Sequence, residues 1–331
     1  MNGQLLQECR TRTFLPIPTR APRRAWTLLT LATFLPLASA GRAAGPEGNA
    51  ARPGLGGRGA LVIVGGGGLP DPIRDRFLDL AGGKKARIVV IPTASAKADL
   101  PPRALKSYQF WKAQHVASVT VLHTRDARQA NDPAFVKPLT EATGAWFTGG
   151  DQARVMRVYR GTLVERELHK LLDRGGVIGG TSAGAAVMSG PMILGGNPRA
   201  DLGTGFGFFA GVVVDQHFGE RKRLKRLLGV LETRDARDHQ YLGVGIDEAT
   251  AVIVRGHLLS VLGRSSVSIC RPGSGKEPPS VRVLKAGQEA DLWSAVATPA
   301  VARSPAPAPA APEPKKGKEA DTTAKRTTLS H

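Results

Sequence analysis

Cysteine and aromatic residues are scarce in this chain, and basic residues outnumber acidic ones. The 331 residues include two cysteines, Cys9 and Cys270, and aromatic side chains make up 5% of the composition. Two cysteines exclude a disulfide-rich scaffold. Neither cysteine nor histidine recurs at the spacing of a zinc-binding cluster, so we expect no metal and no cofactor.

The shortage of acidic residues leaves a formal net charge of +19, from 46 lysines and arginines against 27 aspartates and glutamates. A basic surface favours polyanionic partners such as nucleic acid, acidic cell-wall polymers or carboxylate-rich peptides, and charge does not choose among them. Proteins that bind single-stranded nucleic acid stack its bases on aromatic side chains. Because such side chains are few here, we expect no nucleic acid partner.

The chain begins with the pattern of a secretory signal peptide rather than that of a membrane span. Arginines precede an apolar run at residues 25–37, which is too short to cross a bilayer, and residues 38–40 (ASA) form a small-residue cleavage pattern. We therefore predict that residues 1–40 are removed, that the mature chain is secreted or periplasmic, and that it has no integral membrane span. Cys9 would leave with the leader, so Cys270 would remain alone as a small core residue rather than a nucleophile.

Composition divides the rest of the chain into one domain between two low-complexity segments. Residues 41–58 are rich in Gly, Ala and Pro and lack periodicity, and we expect a flexible lead-in. Residues 298–331 alternate Ala with Pro before a basic end, and we expect a disordered tail. The intervening residues 59–297 have the length and apolar content of a single domain with its own core.

Within that domain, short apolar runs alternate with longer amphipathic stretches. The alternation predicts an α/β fold, with a mainly parallel sheet and helices on both faces. The predicted strands cover residues 60–64, 87–92, 118–123, 144–147 and 175–180, and the predicted helices cover residues 71–81, 102–114 and 155–173. Two apolar runs around a turn at residues 251–263 predict a C-terminal β-hairpin at the sheet edge. Residues 266–270 and 281–287 predict further edge strands.

A single serine stands among glycines at the end of one predicted strand. The segment GGTSAG, residues 179–184, fits the G-x-S-x-G pattern between a strand and a helical stretch. In that context Ser182 is a nucleophile on a sharp turn, where side chains in place of the flanking glycines would clash. The alternative is a phosphate-binding turn or a close-packed crossing. For a nucleophile, the oxyanion hole would use the N–H of Ala183 and that of Gly149 or Gly150, in FTGGDQ.

A second glycine cluster, VGGGGLP, follows the first predicted strand at residues 64–70. Counted from Gly65, the position of the last glycine in a dinucleotide-binding fingerprint is taken by Pro70. The cluster therefore predicts a tight exit from the strand rather than a nucleotide site.

A serine nucleophile needs a base, and the base needs an acid that orients it. His217 follows the apolar run VVVDQ, so we expect it at a strand end, at the same edge of the sheet as Ser182. The alternative for this residue is a core histidine. Asp247 and Glu248 follow another short apolar run, in GVGIDEAT. We prefer Glu248 as the orienting acid, and spacing alone leaves Asp247 and Asp215 open.

An amphipathic helix is predicted shortly after the histidine, in FGERKRLKRLLGVLE. Its apolar stripe, at i, i+3, i+4 and i+7, consists of Leu224, Leu227, Leu228 and Leu231. Arg221 falls on the apolar side of that pattern, so it needs a carboxylate partner, either internal or from a substrate. Arg223 and Arg226 flank the stripe, and for them a solvated basic face is the alternative to a binding role.

Four motifs in this order resemble the cyanophycinases of serine peptidase family S51, which also holds aspartyl dipeptidases: FTGGDQARV, GGTSAGAAVMSG, VVVDQHFGERKRLKRLL and GVGIDEATA. The segments VIVGGGG and VIPTASA are similar to the family too. The resemblance implies a fold like that of class I glutamine amidotransferase domains, with serine replacing their cysteine. It also implies hydrolysis of cyanophycin, a polyaspartate whose β-carboxyls carry arginine, to β-aspartyl-arginine dipeptides.

The same resemblance implies a role for each matched residue. The nucleophile matches Ser182, the base His217 and the orienting acid Glu248. The residues that match the substrate pocket are Gln152, Asp215, Gln216, Arg221, Arg223 and Arg226. Because the polymer carries both carboxylates and arginine heads, the pocket arginines would hold carboxylates. Asp215 and Gln152 would receive guanidinium or backbone groups.

Two features depart from the family pattern. Many family members stay inside the cell that stores the polymer, whereas this chain begins with the pattern of an export leader. The loop at residues 232–241 is charged and longer than the family norm. The alternatives are an α-aspartyl or isoaspartyl dipeptidase and, in another class, a non-catalytic basic binding protein outside the cell. A homodimer is compatible with the sequence, which does not define the oligomeric state.

Overall fold

The computed structural model describes residues 52–274 and 277–297 of the chain. The predicted leader at residues 1–40 and the predicted tail at residues 298–331 lie outside the described residues, as does most of the predicted lead-in. The leader and tail assignments therefore stay predictions. The described end of the predicted flexible lead-in instead packs on the domain, because Gly54 pairs with Ala210 and Leu55 is buried. Of the helices that the structure describes, none is long and apolar enough to cross a membrane.

An eight-stranded sheet lies at the centre of the described chain. Its parallel strands are β1 (Ala60–Val64), β2 (Arg87–Ile91), β3 (Ser118–Val121), β4 (Gly144–Phe147) and β5 (Val177–Thr181). Antiparallel strands, also numbered in chain order, extend it at one edge: β10 (Thr250–Arg255), β11 (Leu258–Gly263) and β14 (Glu289–Asp291). The order across the sheet is β14-β11-β10-β1-β5-β4-β2-β3. The predicted α/β class and the predicted hairpin, formed by β10 and β11, are confirmed.

A second sheet, which the sequence did not predict, contains four strands. They are β8 (Val212–Gln216), β9 (Leu242–Ile246), β12 (Ser266–Arg271) and β13 (Ser280–Lys285), in the order β13-β12-β9-β8. The prediction that residues 266–270 and 281–287 extend the main sheet is wrong, because β12 pairs with β9 and β13. A separate two-stranded hairpin consists of β6 (Pro191–Gly195) and β7 (Asp201–Thr204).

The helices lie between the strands. They are α1 (Asp71–Leu80), α2 (Lys106–Lys112), α3 (Pro133–Glu141), α4 (Gln152–Tyr159), α5 (Leu163–Asp173), α6 (Ala183–Ala186), α7 (Leu224–Leu231), α8 (Arg234–Asp238) and α9 (Leu292–Ala297). The single helix predicted over residues 155–173 is wrong: α4 and α5 are separated by Gly161, whose φ of 76° a helix does not allow. The predicted helix at residues 102–114 is a 3₁₀ turn, Pro102–Ala104, followed by α2.

Both faces of the main sheet are covered by helices. Successive strand residues point to opposite faces, so neighbouring residues of one strand belong to different apolar clusters. Val62 belongs to the apolar cluster that contains α1 and α2, and Ile63 belongs to the cluster on the other face, which contains α3 to α6. Three large aromatic side chains pack together in the first cluster, where Phe77, Trp111 and Trp146 lie with ring centroids 4.9 Å apart. Burying a side chain of this size stabilises the fold by about 1.5–3 kcal/mol. This cluster therefore holds α1 and α2 on the sheet.

Candidate active site

Ser182 occupies the sharp turn between β5 and α6. Its φ of 55° and ψ of −113° lie outside the conformations that most residues adopt. The flanking glycines are required by close packing of the backbone: a Cβ atom on Gly180 would lie 2.5 Å from the Gly184 carbonyl oxygen, and one on Gly184 would lie 2.5 Å from that of Phe147. The turn thus holds the serine side chain clear of its neighbours, as the G-x-S-x-G pattern predicts.

A line of hydrogen bonds runs from this serine to a carboxylate. Ser182 Oγ lies 2.7 Å from Nε2 of His217, and Nδ1 of His217 lies 2.5 Å from Oε1 of Glu248. His217 is buried, whereas the Glu248 side chain is 37% exposed. With the ring proton on Nδ1, toward the carboxylate, Nε2 is free to accept the serine proton. The arrangement has the geometry of a nucleophile, a base and an orienting acid.

The three residues come from two sheets rather than from one. Ser182 follows β5 of the main sheet, while His217 follows β8 and Glu248 comes two residues after β9, both in the second sheet. The prediction that His217 lies at the edge of the same sheet as Ser182 is therefore wrong, although the two side chains do meet. β8 and β9 are parallel neighbours, so their carboxyl ends deliver the histidine and the acid side by side.

The other two acids that the sequence left open have different partners. Asp247 accepts hydrogen bonds from the Gly219 N–H at 2.9 Å and from the hydroxyls of Ser265 and Ser266 at 2.7 and 2.8 Å. Asp215 is fully buried against arginines. Of the three, Glu248 is the acid that contacts the imidazole.

The backbone of the glycine cluster after β1 holds the segments that carry Ser182, His217 and Glu248. Its first three carbonyl oxygens accept backbone hydrogen bonds in sequence. The Val64 oxygen accepts from the Ser182 N–H at 3.1 Å, the Gly65 oxygen from the His217 N–H at 2.7 Å, and the Gly66 oxygen from the Ala249 N–H at 2.9 Å. Sequence reasoning expected only a tight strand exit here, and the run of four glycines was the available signal of a close backbone approach.

The proposed oxyanion donors surround the serine. Ala183 follows it directly, and a Cβ atom on Gly149 would lie 3.9 Å from Ser182 Oγ. Within the described residues, the N–H groups of Ala183, Gly149 and Gly150 have no protein acceptor. Gly150 turns toward Ala94, whose carbonyl oxygen would lie 2.2 Å from a Cβ atom built on it. The roles predicted for Gly150 and Ala183 stay predictions.

Asp215, Arg223 and Arg226 form a buried charged cluster behind the histidine. Arg226 holds the carboxylate with two donors, Nε at 3.0 Å from Oδ2 and a terminal nitrogen on Oδ1, and Arg223 approaches Oδ1 at 3.4 Å. Arg226 also donates to the Gly196 carbonyl at 2.7 Å. The solvated basic face considered for these two arginines is therefore wrong, since Asp215 is their internal partner.

Burial sets the protonation behaviour of this cluster. It raises the pKa of the Asp215 carboxyl, which the hydrogen bonds and charges of Arg226 and Arg223 pull back down. Burial, together with the neighbouring charge of Arg226, lowers the pKa of Arg223. Two atoms here have no hydrogen-bond partner among the described residues although they are buried, Oε1 of Gln216 and Nε of Arg223. Such orphans are rare in native proteins and mark places where a ligand atom or water completes the set.

Gln152 and Arg221 lie differently from the sequence prediction. The buried Gln152 amide nitrogen donates to the carbonyls of Ile193 and Leu194 at 2.8 and 2.7 Å, so it anchors β6. Arg221 is exposed, because α7 begins three residues later, at Leu224. Its predicted position on the apolar face of the helix is wrong. The buried residues of α7 are Arg226, Leu227, Val230 and Leu231.

In this site a serine hydroxyl is hydrogen-bonded to an imidazole, and the imidazole is hydrogen-bonded to a carboxylate. On an α/β fold, this arrangement defines the class of serine hydrolases. The sequence model of peptidase family S51 matches residues 61–262. The chain belongs to that family and is a serine-type peptidase. The resemblance noted from the motifs is thereby confirmed, and the alternative of a non-catalytic binding protein is wrong.

Individual relatives agree with this assignment. Cyanophycinase of Synechococcus elongatus is 35% identical over 225 residues, which cover 64% of this chain and 68% of that protein. Cyanophycinase of Nostoc sp. (strain PCC 7120 / SAG 25.82 / UTEX 2576) is 36% identical over 229 residues, which cover 64% and 74%. The crystal structure of a peptidase from an acI-B1 Actinobacterium shares the fold, with a TM-score of 0.55 and 23% identity over 72% of this chain and 98% of that one.

Proposed function

We propose that this peptidase hydrolyses cyanophycin to β-aspartyl-arginine dipeptides through an acyl-enzyme at Ser182. The observation that carries the proposal is the hydrogen-bonded line from Ser182 through His217 to Glu248. The substrate is inferred from the name shared by the relatives and from the paired charges of the buried cluster. Because the relatives reported above are cyanophycinases, cyanophycin is the first substrate to test.

The proposed reaction begins when Ser182 Oγ attacks the scissile carbonyl carbon and its proton passes to Nε2 of His217. Glu248 stabilises the imidazolium that forms, and the N–H groups of Ala183 and the Gly149–Gly150 turn bind the oxyanion. His217 then protonates the leaving amine, which departs and leaves an ester on the serine. A water molecule, deprotonated by His217, hydrolyses that ester and restores the hydroxyl.

The buried orphans next to the histidine support a substrate that carries both signs of charge. Nε of Arg223 is a donor, and Oε1 of Gln216 is an acceptor. An unpaired buried group costs about 1–3 kcal/mol, so a ligand would gain affinity if these side chains turn to expose the two atoms to it. A β-aspartyl-arginine unit offers a carboxylate for the donor and a guanidinium for the acceptor. Arg221, exposed at the start of the same segment, would hold a further carboxylate.

Export is a second part of the proposal. The leader pattern at residues 1–40 supports a secreted or periplasmic enzyme that degrades polymer released by other cells. The test is to fractionate cells that express the full chain and to determine the N-terminal residue of the protein found outside the cytoplasm. A first residue at position 41 is the expected result, and full-length protein confined to the cytoplasm would contradict export.

The reaction is tested with purified chain lacking residues 1–40, incubated with insoluble cyanophycin, with the Ser182→Ala variant alongside. Mass spectrometry of the soluble fraction should show β-aspartyl-arginine from the wild-type protein and none from the variant. Diisopropyl fluorophosphate should label Ser182. Labelling without release of the dipeptide would reject the polymer as substrate and would favour the α-aspartyl or isoaspartyl dipeptidase, for which small acidic dipeptides are the assay.

A further inference from the structure

A basic cavity lies outside the candidate active site, next to the loop that carries Gly149 and Gly150. It has a volume of about 330 Å³ and is lined by Ala96, Arg125, Arg154, Arg157 and Val158. Three of its five lining residues are arginines and none is acidic. Neither the sequence motifs nor the catalytic arrangement gives this cavity a role.

One wall of the cavity is rigidly built. Arg125 donates to the backbone carbonyls of Thr93 and Ser95 at 2.8 and 3.0 Å and to the Asp99 carboxylate at 3.0 Å. The hydrogen bond from Arg125, followed by that from His123, lowers the pKa of Asp99 to about 2, so this carboxylate stays charged. The Arg125 guanidinium is therefore fixed in position before any ligand arrives, which reduces the entropy lost on binding.

Hydrogen bonds behind this wall fix the loop that carries it. Thr93 Oγ1 lies 2.9 Å from Nδ1 of His123 and 2.8 Å from the buried hydroxyl of Tyr159, and His123 Nε2 lies 2.9 Å from Asp99. Tyr159 belongs to α4, the helix that also carries Arg154 and Arg157. The two walls of the cavity are thus held to each other.

The opposite wall, formed by α4, carries two arginines whose side-chain N–H donors are not fully used. Among the described residues, the Arg154 side chain makes only long contacts, from Nε to Asp151 Oδ2 at 3.5 Å and from a terminal nitrogen to the Ala94 carbonyl at 3.4 Å. Arg157 is exposed and has no acidic partner within the described residues. Of the three arginines, Arg154 and Arg157 therefore retain donors for an anion.

The cavity is one loop away from the serine. Arg154 approaches the Ala94 carbonyl. The same carbonyl accepts a hydrogen bond from the Asp151 N–H at 2.9 Å and packs against Gly150. Gly149, the next residue back along the chain, lies against the Ser182 side chain. The cavity and Ser182 are thus linked through the contact between Ala94 and Gly150, and each extended residue of a bound peptide would span about 3.3–3.6 Å of the path between them.

We propose that this cavity is a carboxylate-binding subsite for a unit of the substrate chain beyond the unit that is cleaved. The inference rests on the proposed function, because it takes the substrate to be a polymer with a carboxylate on every unit. Arginine matches carboxylate geometry with paired N–H donors. A pre-positioned Arg125 and the donors of Arg154 and Arg157 would select chains of several units over single dipeptides.

The test compares ligand lengths in the inactive Ser182→Ala background by isothermal titration calorimetry. The ligands are the β-aspartyl-arginine dipeptide and the corresponding trimer of the polymer. Adding Arg154→Gln and Arg157→Gln should weaken trimer binding about tenfold and leave dipeptide binding unchanged. The control is Arg166→Gln, which removes one exposed arginine, of α5, and is therefore matched in charge to the single variant Arg157→Gln. If the double substitution does not fold, Arg157→Gln alone is measured, with a threefold loss expected.

Unchanged trimer affinity, or an equal loss for trimer and dipeptide, would overturn the subsite. Cleavage of the trimer by the wild-type protein separates this result from a failure of the proposed function. If the wild-type protein cleaves the trimer but the affinity for the trimer does not depend on Arg154 and Arg157, the subsite is rejected and the proposed function stands. Arginine-dependent trimer binding without cleavage rejects the proposed function, and it overturns the subsite as part of a substrate path although the cavity binds carboxylates.

Discussion

Gly66 and His217 are packed so closely that no side chain fits between them. A Cβ atom on Gly66 would lie 2.2 Å from Cε1 and 2.6 Å from Nε2 of the imidazole, and the φ of Gly66 is 115°. Its carbonyl accepts the backbone N–H of Ala249, the residue after Glu248. One glycine therefore sets the position of His217 and of the segment that carries Glu248.

Gly66→Ala should abolish most turnover while leaving the protein folded. The added methyl group would push the imidazole away from Ser182 Oγ, and a displacement of about 1 Å can cost about 100-fold in rate. The control is Gly68→Ala, because no atom lies within 4 Å of a Cβ there. Steady-state kinetics on the polymer, with melting temperatures for both variants, give the comparison. Wild-type turnover by the Gly66 variant would show that the contact does not position the base.

Substituting the two adjacent acids should separate catalysis from stability. Glu248→Gln removes the charge that orients His217, and kcat should fall about 10²–10⁴-fold with an unchanged melting temperature. Asp247→Asn weakens a carboxylate that accepts from Gly219 and from two serines, so it should destabilise the fold by about 1–3 kcal/mol. Urea unfolding and kinetics on both variants test the assignment. Full activity in Glu248→Gln would return the orienting role to one of the other acids.

The sequence predicted the centre of the fold because its strands are continuous apolar runs. β1 and β4 have the predicted bounds, and the pattern of G-x-S-x-G identified the turn that holds Ser182. These signals are local, since each depends on residues within one short segment. The break at Gly161 was missed because a single glycine inside an amphipathic pattern is tolerated in many helices.

The features that sequence did not predict depend on contacts between distant segments. Whether β12 pairs with β9 or with the main sheet is decided by packing that no single run of residues encodes. Arg226 is charged and would ordinarily be exposed, yet it is buried because Asp215, eleven positions earlier, lies beneath it. The hydrogen bonds accepted by Val64, Gly65 and Gly66 were not predicted for the same reason, because their donors follow three other strands, β5, β8 and β9.

Arg226→Ala should cost far more stability than Arg221→Ala. Removing Arg226 leaves the fully buried Asp215 carboxylate without its two-donor partner, which costs about 3–5 kcal/mol. Arg221 is exposed, so its loss should change stability by less than about 0.5 kcal/mol and should raise KM for the polymer. Urea unfolding measures the first effect and kinetics the second. Equal stability of the two variants would mean that the buried ion pair is replaced at little cost.

Tyr159→Phe should loosen the loop that forms one wall of the basic cavity. Burial raises the pKa of Tyr159 to about 12, so its hydroxyl stays protonated, and it contacts Thr93 Oγ1 and the Thr124 N–H. Removing it leaves the buried Thr124 N–H without this acceptor, at a cost of about 1–3 kcal/mol, while Thr93 Oγ1 keeps His123 as a partner. Tyr108→Phe is the control, because the half-buried Tyr108 hydroxyl has no protein partner among the described residues. Chemical unfolding that does not distinguish the two variants would contradict this account.

Cys270 should be inert in the folded protein although it is a free thiol. It is fully buried in β12, and burial, with a smaller contribution from the charge of Asp215, raises its pKa to about 12. The thiolate is the reactive form. A raised pKa moves ionisation to higher pH, so at pH 8 only about one thiol in ten thousand would be ionised.

Ellman's reagent should therefore give no signal at pH 8 from the chain lacking residues 1–40, and one equivalent after addition of guanidinium chloride. Rapid reaction of the native protein would place Cys270 at the surface, and the packing of the second sheet against α7 would then need revision.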